Sequence, residues 1–558
     1  MTLDLLLIHP PSVYDFREKA VHYGLVSDLI PSTPIFELYP AGFLSLSTYL
    51  GKKGFKLKIL NLAVQMLLNP GFNPEKALKK AEARVYGIDL HWLVHVQGAL
   101  ETAKLVKKLH PDSFLVVGGL TSTFFWRSLL ENYSFIDAVV LGDTAEEALE
   151  GLLSHASTGK PRLNEIPNVA WRHQGKAKLN SFRPAPGNLD DYAIDYGFLV
   201  KEFLGSWSFP SALPFARFMR EPIGLALTMK GCPYNCITCG GSAFAYKNFF
   251  NRNCPAFKSP EKIAWEILSL LDYMRVPVFV VGDVQLMGFS RVERLSKLLR
   301  EAKVGSPLIY EFFSPPPRST LECLRKTSDR VMLQISPESH EEEVRVKFGR
   351  NYGNRDLVGF IREAERLGFE RLDLYFMVGL PEQTLKSAVE ASRFFSKLLG
   401  EAVKGRGFLN AFTAPLAPFI DPGSMVYMKP EAFGYRLLFR DVESHVKIME
   451  EAESWGEMLD YETAWMSRRE IVAASYLAAE AFTKVKMEHG IISEEEGLKV
   501  LEAIKEAGET VYLGKRVREK LVARETVSKG DLYPGRRLIF SLKPKFYYTL
   551  LKALLKRI

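Results

Sequence analysis

Residues 228–241 read Thr-Met-Lys-Gly-Cys-Pro-Tyr-Asn-Cys-Ile-Thr-Cys-Gly-Gly and place Cys232, Cys236 and Cys239 within eight positions. The apolar run before them predicts a strand, so the cysteines lie on the loop that follows it. Three thiolates on one loop can hold three irons of a cubane iron–sulfur cluster and leave the fourth iron without a nearby cysteine. Structural zinc usually takes four ligands, often as two CxxC-like pairs, and no second pair exists here. The spacing therefore predicts a [4Fe-4S] site, with zinc as the alternative.

The other cysteines give no sign of a disulfide framework. The chain has five cysteines in 558 residues, and none lies in the first 231. Disulfide-stabilised proteins distribute their cysteines more widely, so we expect a reduced, cytoplasmic protein. The apolar start of the chain is too short for a signal peptide and lacks a basic flank. No uninterrupted apolar run of about 18 residues predicts a membrane-spanning helix.

Strands and helices alternate on both sides of the cysteine loop. Within residues 216–430, strands are predicted at 224–228, 276–281, 309–312, 331–335, 371–378 and 408–415. Helical patterns fill the gaps between them. Six such units predict a partial (β/α)6 barrel, whose chemistry is expected at the carboxyl ends of its strands.

Residues 1–155 show a second alternation of the same kind. Buried strands are predicted at 5–9, 57–60, 85–89, 114–117 and 138–141, with helices between them. This pattern predicts an α/β domain with a doubly wound parallel sheet, which binds ligands at the carboxyl ends of its strands.

Two further regions complete the predicted organisation, since 558 residues are too many for one core. Residues 156–215 are rich in Pro, Ser and Asn and are predicted to be a connector with a few short strands. Its aromatic end, with Trp207, Phe209, Phe215 and Phe218, is expected to pack between domains. Residues 431–558 are predicted to be mostly helical.

The CxxxCxxC loop after the first strand of a βα domain resembles the radical S-adenosylmethionine (SAM) superfamily. The resemblance implies that Cys232, Cys236 and Cys239 ligate the cluster and that SAM binds its open iron. In that family, reduction of the cluster cleaves SAM to a 5′-deoxyadenosyl radical, which abstracts a hydrogen atom. The resemblance also implies a reductant such as ferredoxin or flavodoxin.

Several positions correspond to SAM-binding elements of that family, with two departures. Thr238 stands where an aromatic residue usually precedes the third cysteine, and Asp283 stands in place of the glutamate of a Gly-Gly-Glu element. A carboxylate at Asp283 can still accept hydrogen bonds from an ammonium group; a helix cap or turn is the alternative.

Later segments extend this resemblance. Those expected to contact SAM are Gln334, Ser336, Glu338 and, for its carboxylate, Arg345 with Lys347 and Arg350. For these basic residues a solvated helix face is the alternative. The segments 377–384 and 421–424 resemble the elements that end the fifth and sixth strands.

The first domain resembles the cobalamin (B12)-binding domain that precedes many radical SAM domains. The matching glycines include Gly118, Gly119 and Gly142, at predicted strand ends where backbone can approach a bulky ligand. The Asp-x-His-x-x-Gly element, whose histidine binds cobalt in that family, is absent. His91, Trp92 and His95 are instead the residues expected to face the lower side of cobalamin. The alternatives are that they simply line a strand-end loop and that the domain is empty.

The net charge of +8 is concentrated near the end of the chain. Residues 514–558 contain thirteen Lys or Arg and three Asp or Glu. Within 541–558, Phe546, Leu550 and Leu554 recur every four residues and predict an amphipathic helix. Such a helix can lie on an anionic membrane surface, at the inner face of the membrane, or can dock on its own protein. No recognised RNA-binding module accompanies it, so nucleic acid is not expected as a partner.

These patterns predict a cobalamin-dependent radical SAM enzyme that modifies an unactivated C–H bond. Methyl transfer or C–C bond formation is expected, on a small-molecule or lipid substrate. The alternatives are a radical SAM enzyme with an empty B12-like domain and a non-catalytic iron–sulfur or metal-binding protein.

Overall fold

The first sheet has seven strands: β1 (Leu3–His9), β2 (Leu57–Asn61), β3 (Ala83–Asp89), β4 (Phe114–Gly118), β5 (Ala138–Val140), β6 (Val169–His173) and β7 (Lys176–Leu179). The computed structural model describes residues 2–18, 35–206, 208, 210–405, 407–416, 418–513 and 541–555. The strand order is β2-β1-β3-β4-β5-β6-β7, and β1 to β5 pair in parallel. The order reverses beside β1, which is where doubly wound sheets bind ligands.

Helices cover both faces of this sheet, as the buried strands require. They are Gly42–Lys52, Leu62–Leu68, Pro74–Lys80, Val96–Leu109, Leu120–Phe124, Trp126–Asn132 and Glu146–Thr158. Side chains of β1 alternate between two cores, with Leu6 and Ile8 in one and Leu5 and Leu7 in the other. The predicted doubly wound domain is therefore confirmed.

The connector contributes more to the first sheet than its composition suggested. Strands β6 and β7 pair antiparallel at its edge, so the sheet continues to Leu179, beyond the predicted boundary at residue 155. A helix, Tyr196–Gly205, then leads to the second sheet. Trp207 and Phe209 lie outside the described residues, whereas Phe215 and Phe218 line a cavity described below.

The second sheet has six parallel strands in sequence order, with the first and sixth at its edges. These barrel strands are Gly224–Leu227, Val278–Val281, Leu308–Phe312, Val331–Glu338, Arg371–Val378 and Leu409–Pro415. The helices around them are Ala243–Phe249, Pro260–Leu271, Phe289–Glu301, Arg318–Leu324, Glu342–Phe348, Asn354–Arg366 and Leu385–Glu401. This arrangement is the predicted partial (β/α)6 barrel.

The C-terminal region is mostly helical and extends the core of the barrel. Its helices are Met425–Met428, Val442–Glu451, Trp455–Met458, Arg468–Glu488 and Glu494–Leu513. Ser467 caps the long helix Arg468–Glu488, whose Phe482 packs against Phe376 and Phe395 of the barrel. The edge of the barrel at its sixth strand is thereby covered.

The last described segment docks on the protein surface. Strand Ser541–Leu542 pairs with Met274–Arg275, and helix Pro544–Leu555 follows. Phe546 is buried against Val200, Leu204 and Tyr273. Residues 556–558, the end of the predicted amphipathic helix, lie outside the described residues. Among the described helices, none has the length and apolar character needed to cross a membrane.

Candidate active site

Three backbone contacts fix the cysteine loop against the rest of the barrel. Ile237 N–H donates to Phe348 O at 2.9 Å, and Val426 N–H donates to Ile237 O at 2.9 Å. Gly240 N–H donates to the Asp421 carboxylate at 2.9 Å. The helix Glu342–Phe348 and the segment after the sixth barrel strand therefore hold the loop between Cys236 and Cys239.

The three thiols are buried to different degrees, with Cys236 only 7% exposed. Burial raises the pKa of Cys232 and Cys239, and it raises the pKa of Cys236 to about 11. Thiolates are therefore stable here only beside a bound cation. Within the described ranges, no group of three or more His, Cys, Asp or Glu side chains is placed to hold a single metal ion. A cubane cluster, in which each thiolate binds its own iron, suits the three-cysteine donor set better than one zinc ion.

A cavity of about 650 Å³ joins the cysteine loop to the first sheet. Cys232 lines it from the barrel, and Gly118, Gly119, Gly142, His91 and Trp92 line it from the carboxyl ends of the first sheet. Most of the remaining wall is apolar, including Leu, Val, Ile and Phe side chains. Its volume lies within the range of about 300–1,000 Å³ that is common for ligand sites.

The glycines of the first sheet make room in different ways. A Cβ added to Gly118 would meet no atom within 4 Å, so this position opens directly onto the cavity. A Cβ on Gly119 would lie 2.6 Å from the His91 backbone, and Gly119 has a φ of +124°. Gly118 thus leaves space for a bulky ligand such as cobalamin, whereas Gly119 allows two loops to approach each other.

Two of the three predicted aromatic residues reach the cavity. The rings of His91 and Trp92 lie 4.8 Å apart and both residues line it. Burial lowers the pKa of His91, so its imidazole is neutral at neutral pH. His95 is fully buried instead, with Nε2 at 2.8 Å from Phe36 O, so it does not face the cavity.

A buried ion pair joins the segment after helix Ala243–Phe249 to the end of the first sheet. Arg252 Nε donates to Asp143 Oδ2 at 2.5 Å and Arg252 Nη2 donates to Asp143 Oδ1 at 3.1 Å. Lys230, two residues before Cys232, donates to Asp143 O at 2.6 Å. Asp143 directly follows Gly142, so these contacts fix the distance between the two predicted cofactor sites. This connection was not predicted from the sequence.

Asp283 caps a turn, which is the alternative to the predicted SAM contact. Its carboxylate accepts hydrogen bonds from Gln285 N at 3.1 Å and Phe313 N at 2.8 Å, and it caps the turn Val284–Met287. It is fully buried, and burial raises its pKa to about 6. The Asp283 carboxylate therefore accepts hydrogen bonds from the protein itself, as the alternative of a cap or turn expected.

Arg345 and Glu338 also make internal contacts. The Arg345 guanidinium is completely buried and donates to Pro337 O, Ser339 O, Tyr352 O and Asn354 Oδ1. It organises the loop after the fourth barrel strand through these four acceptors. Glu338 accepts from Arg350 at 2.9 Å.

The remaining predicted SAM contacts stay predictions. Lys347 pairs with Glu382. Gln334 and Ser336 lie on the fourth barrel strand, outside the lining of the cavity. Gln334 Nε2 donates to the Glu311 carboxylate at 3.3 Å.

Glu311, on the third barrel strand, was not predicted from the sequence. It lines the cavity that contains Cys232 and accepts hydrogen bonds from Gly282 N and, at 3.3 Å, from Gln334 Nε2. Burial, with a smaller contribution from the Asp283 charge, raises the pKa of Glu311 to about 7. An acidic residue within the apolar strand Leu-Ile-Tyr-Glu-Phe was the available signal.

Two family models match the chain in this order. The B12 binding domain matches residues 32–153, and the Radical SAM superfamily matches residues 227–395. The chain therefore carries a B12-binding domain followed by a radical SAM domain. The cofactors of these domains are a [4Fe-4S] cluster with SAM, and cobalamin.

Curated relatives and a solved structure agree with this assignment. An uncharacterized methyltransferase of Pyrococcus horikoshii is 24% identical over 58% of this chain and 66% of its own length. The hopanoid C-3 methylase of Methylococcus capsulatus is 25% identical over 46% of this chain and 45% of its own. The chain thus spans less than two thirds of either relative.

Structural similarity extends over more of the chain. The radical SAM methyltransferase TsrM of Kitasatospora setae, solved with cobalamin and a [4Fe-4S] cluster, has a TM-score of 0.53 at 16% identity. The match covers 79% of this chain and 78% of that one. At this identity the match establishes the fold, which is that of the cobalamin-dependent radical SAM enzymes.

Proposed function

We propose that this protein is a cobalamin-dependent radical SAM enzyme that methylates an unactivated carbon of a lipophilic substrate. The observation that carries the proposal is the single cavity shared by Cys232 and the carboxyl ends of the first sheet. When bound, the cluster with SAM supplies hydrogen-atom abstraction and cobalamin supplies a methyl group. We infer that a ferredoxin or flavodoxin delivers the electron that the cluster requires.

The residues of the chain have separate roles in this proposal. Cys232, Cys236 and Cys239 hold the cluster on a loop that three backbone contacts fix. Gly118 would leave room for the corrin, and neutral His91 and Trp92 would line the cavity beside it. The apolar walls exclude water, which protects a radical reaction from side reactions.

Two observations support a lipophilic substrate. The cavity wall is mostly apolar, with Phe203, Phe215, Phe218 and Phe279 among its residues. One relative is named a hopanoid C-3 methylase. An apolar wall binds hydrocarbon through the area that it removes from water, at about 25 cal/mol per Å².

Anaerobic purification with added cobalamin tests the proposed function. We expect about four irons and one cobalamin per chain, and 5′-deoxyadenosine formation after reduction. Methyl-labelled SAM should transfer its label to a component of a lipid extract. A colourless zinc protein without SAM cleavage would contradict the proposal, and SAM cleavage without cobalamin would support the alternative of an empty B12-like domain.

The terminal helix is proposed to bring the enzyme to an anionic membrane surface. Phe546 is docked, but Tyr547, Leu551 and Leu555 are 56%, 53% and 61% exposed. These side chains belong to a strongly basic segment, and each basic group near anionic lipid contributes about 1 kcal/mol. The exposed face therefore has the composition of an interfacial helix.

Substituting two exposed leucines tests this proposal without uncovering the docking site. Leu551→Glu with Leu555→Glu should abolish cosedimentation with vesicles containing phosphatidylserine and leave SAM cleavage unchanged. Leu477→Glu with Leu498→Glu is the matched control, because these leucines are 44% and 55% exposed on other helices. Undiminished vesicle binding by the Leu551 and Leu555 variant would rule out this role for the helix.

A further inference from the structure

The cavity extends away from the cysteine loop along the first barrel strand, Gly224–Leu227. Leu225, Leu227 and the preceding Ile223 all line it, as alternate residues on one face of a strand do. From Ile223 to Leu227 this wall spans about 13 Å, at about 3.3 Å per residue. Phe279 of the neighbouring strand pairs with Leu225 and lines the same wall. The cavity therefore has an apolar arm, which leads from the cysteine loop to Ile223.

Helix Tyr196–Gly205 closes the side of the apolar arm. Tyr196 Oη donates to Leu225 O at 2.5 Å, which places the helix along the edge of the barrel strand. One turn further along the helix, Val200 lines the cavity. Among the described residues that line the cavity on this helix and on residues 223–225, none carries a charge. This part of the wall therefore favours hydrocarbon, since a polar or charged group without a partner is costly to bury.

The outer end of the apolar arm lies beside the last described segment of the chain. Val200 lines the cavity and also packs against Phe546 of the terminal helix. Met274 lines the cavity as well, and it pairs with Leu542 in the short strand before that helix. A single layer of residues thus separates the apolar arm from the terminal segment.

The terminal segment has different chemistry on its two sides. Phe546 is buried against the protein, whereas Leu551 and Leu555 are exposed. Lys543 and Lys552 are exposed on the same segment. Basic groups of this kind attract an anionic headgroup, while the apolar arm favours the hydrocarbon chain attached to it. The two halves of a membrane lipid therefore match neighbouring parts of this region.

We propose that the apolar arm admits the hydrocarbon chain of a membrane lipid, which enters beside the terminal helix with its chain end first. The headgroup stays outside, next to the basic terminal segment, and the chain end approaches the cysteine loop. This inference rests on the proposed function and deepens it, because it names the form of the substrate and the side from which it enters. The predicted cofactor sites, at Cys232 and Gly118, line other parts of the cavity.

Photolabelling from a vesicle tests both the entry and the direction of the chain. Two phosphatidylglycerol probes carry a diazirine, one at the end of an acyl chain and the other beside the headgroup. Each probe is mixed into phosphatidylserine vesicles and irradiated with the anaerobic holoprotein, and labelled peptides are identified by mass spectrometry. The chain-end probe should label residues 223–227, and the headgroup probe should label residues 541–555.

Ile223→Trp should shorten the apolar arm, because the larger side chain takes up space that the lipid chain needs. Label from the chain-end probe at residues 223–227 should fall about fivefold or more, as expected when an apolar site is overpacked. Headgroup label on the terminal segment should be retained. Leu298→Trp is the matched control, because Leu298 is half-buried like Ile223 but lies on helix Phe289–Glu301, outside the cavity lining. Iron and cobalamin contents report whether both variants are folded.

Several results would overturn the inference. These are chain-end label confined to the terminal segment, the reverse order of the two probes, undiminished label in Ile223→Trp, and label in the arm only when SAM and cobalamin are absent. Methyl transfer to a component of a lipid extract, without label in the arm, would overturn the inference while the proposed function stands. Label in the arm without methyl transfer to any lipid would overturn the proposed function alone, because photolabelling requires no turnover.

Discussion

Replacing Cys236 with alanine is expected to remove the iron–sulfur cluster and to bring SAM cleavage below detection. Two thiolates would remain for a cluster that takes three, and the described residues around the loop offer no replacement arrangement of three metal ligands. The loop itself should persist, because its hydrogen bonds to Phe348, Val426 and Asp421 use backbone groups of other residues. Iron and sulfide content, visible absorbance and 5′-deoxyadenosine yield measure the effect.

Cys254→Ala provides the same chemical change at a different position. Cys254 is exposed and belongs to no metal-ligand group among the described residues, so this variant should keep its cluster. Retention of a full cluster by Cys236→Ala would contradict the assigned ligands. Loss of the cluster in both variants would mean that Cys254 also serves the site.

Much of the fold was predictable because its signals are local. The strands of both sheets are apolar runs separated by helical patterns, and parallel sheets bury both faces of such strands. The predicted strand at 85–89 became Ala83–Asp89 and that at 371–378 became Arg371–Val378. Strands β6 and β7 were harder to place, since their pairing with β5 depends on tertiary contact rather than on composition.

Site residues were predictable only where the type of residue and its spacing in the sequence together form a recognisable pattern. Three cysteines within eight residues give a pattern that few other structures use, and the glycines mark strand ends. By contrast, Arg345 resembled a solvated residue or an anion-binding one, and only the folded chain shows that it is buried. Glu311 and Gln334 lie side by side because the third and fourth barrel strands pair in register at these two residues. A sequence alone does not show this pairing.

The second large effect is expected from Gly118→Leu, which should weaken cobalamin binding and spare the cluster. Gly118 ends β4 and lines the cavity, and an added Cβ would meet no protein atom within 4 Å. A leucine therefore extends into space that the cofactor needs. Overpacking of this kind typically costs about 1–3 kcal/mol, which corresponds to roughly a fivefold to hundredfold loss of affinity. Bound cobalamin is measured from its absorption spectrum after equilibrium dialysis.

The choice of Gly118 over Gly119 makes this experiment specific for the ligand. At Gly119 a side chain would collide with the His91 backbone at 2.6 Å and would require a positive φ, so loss of cobalamin there could follow from misfolding. Gly359→Leu is the matched control, because Gly359 is exposed on a barrel helix and has equally open surroundings. Normal cobalamin binding by Gly118→Leu would place the corrin elsewhere in the cavity. If the cluster were lost together with cobalamin, the two sites would be coupled through Asp143, since Lys230 before the cysteine loop and Arg252 beyond it both contact this residue.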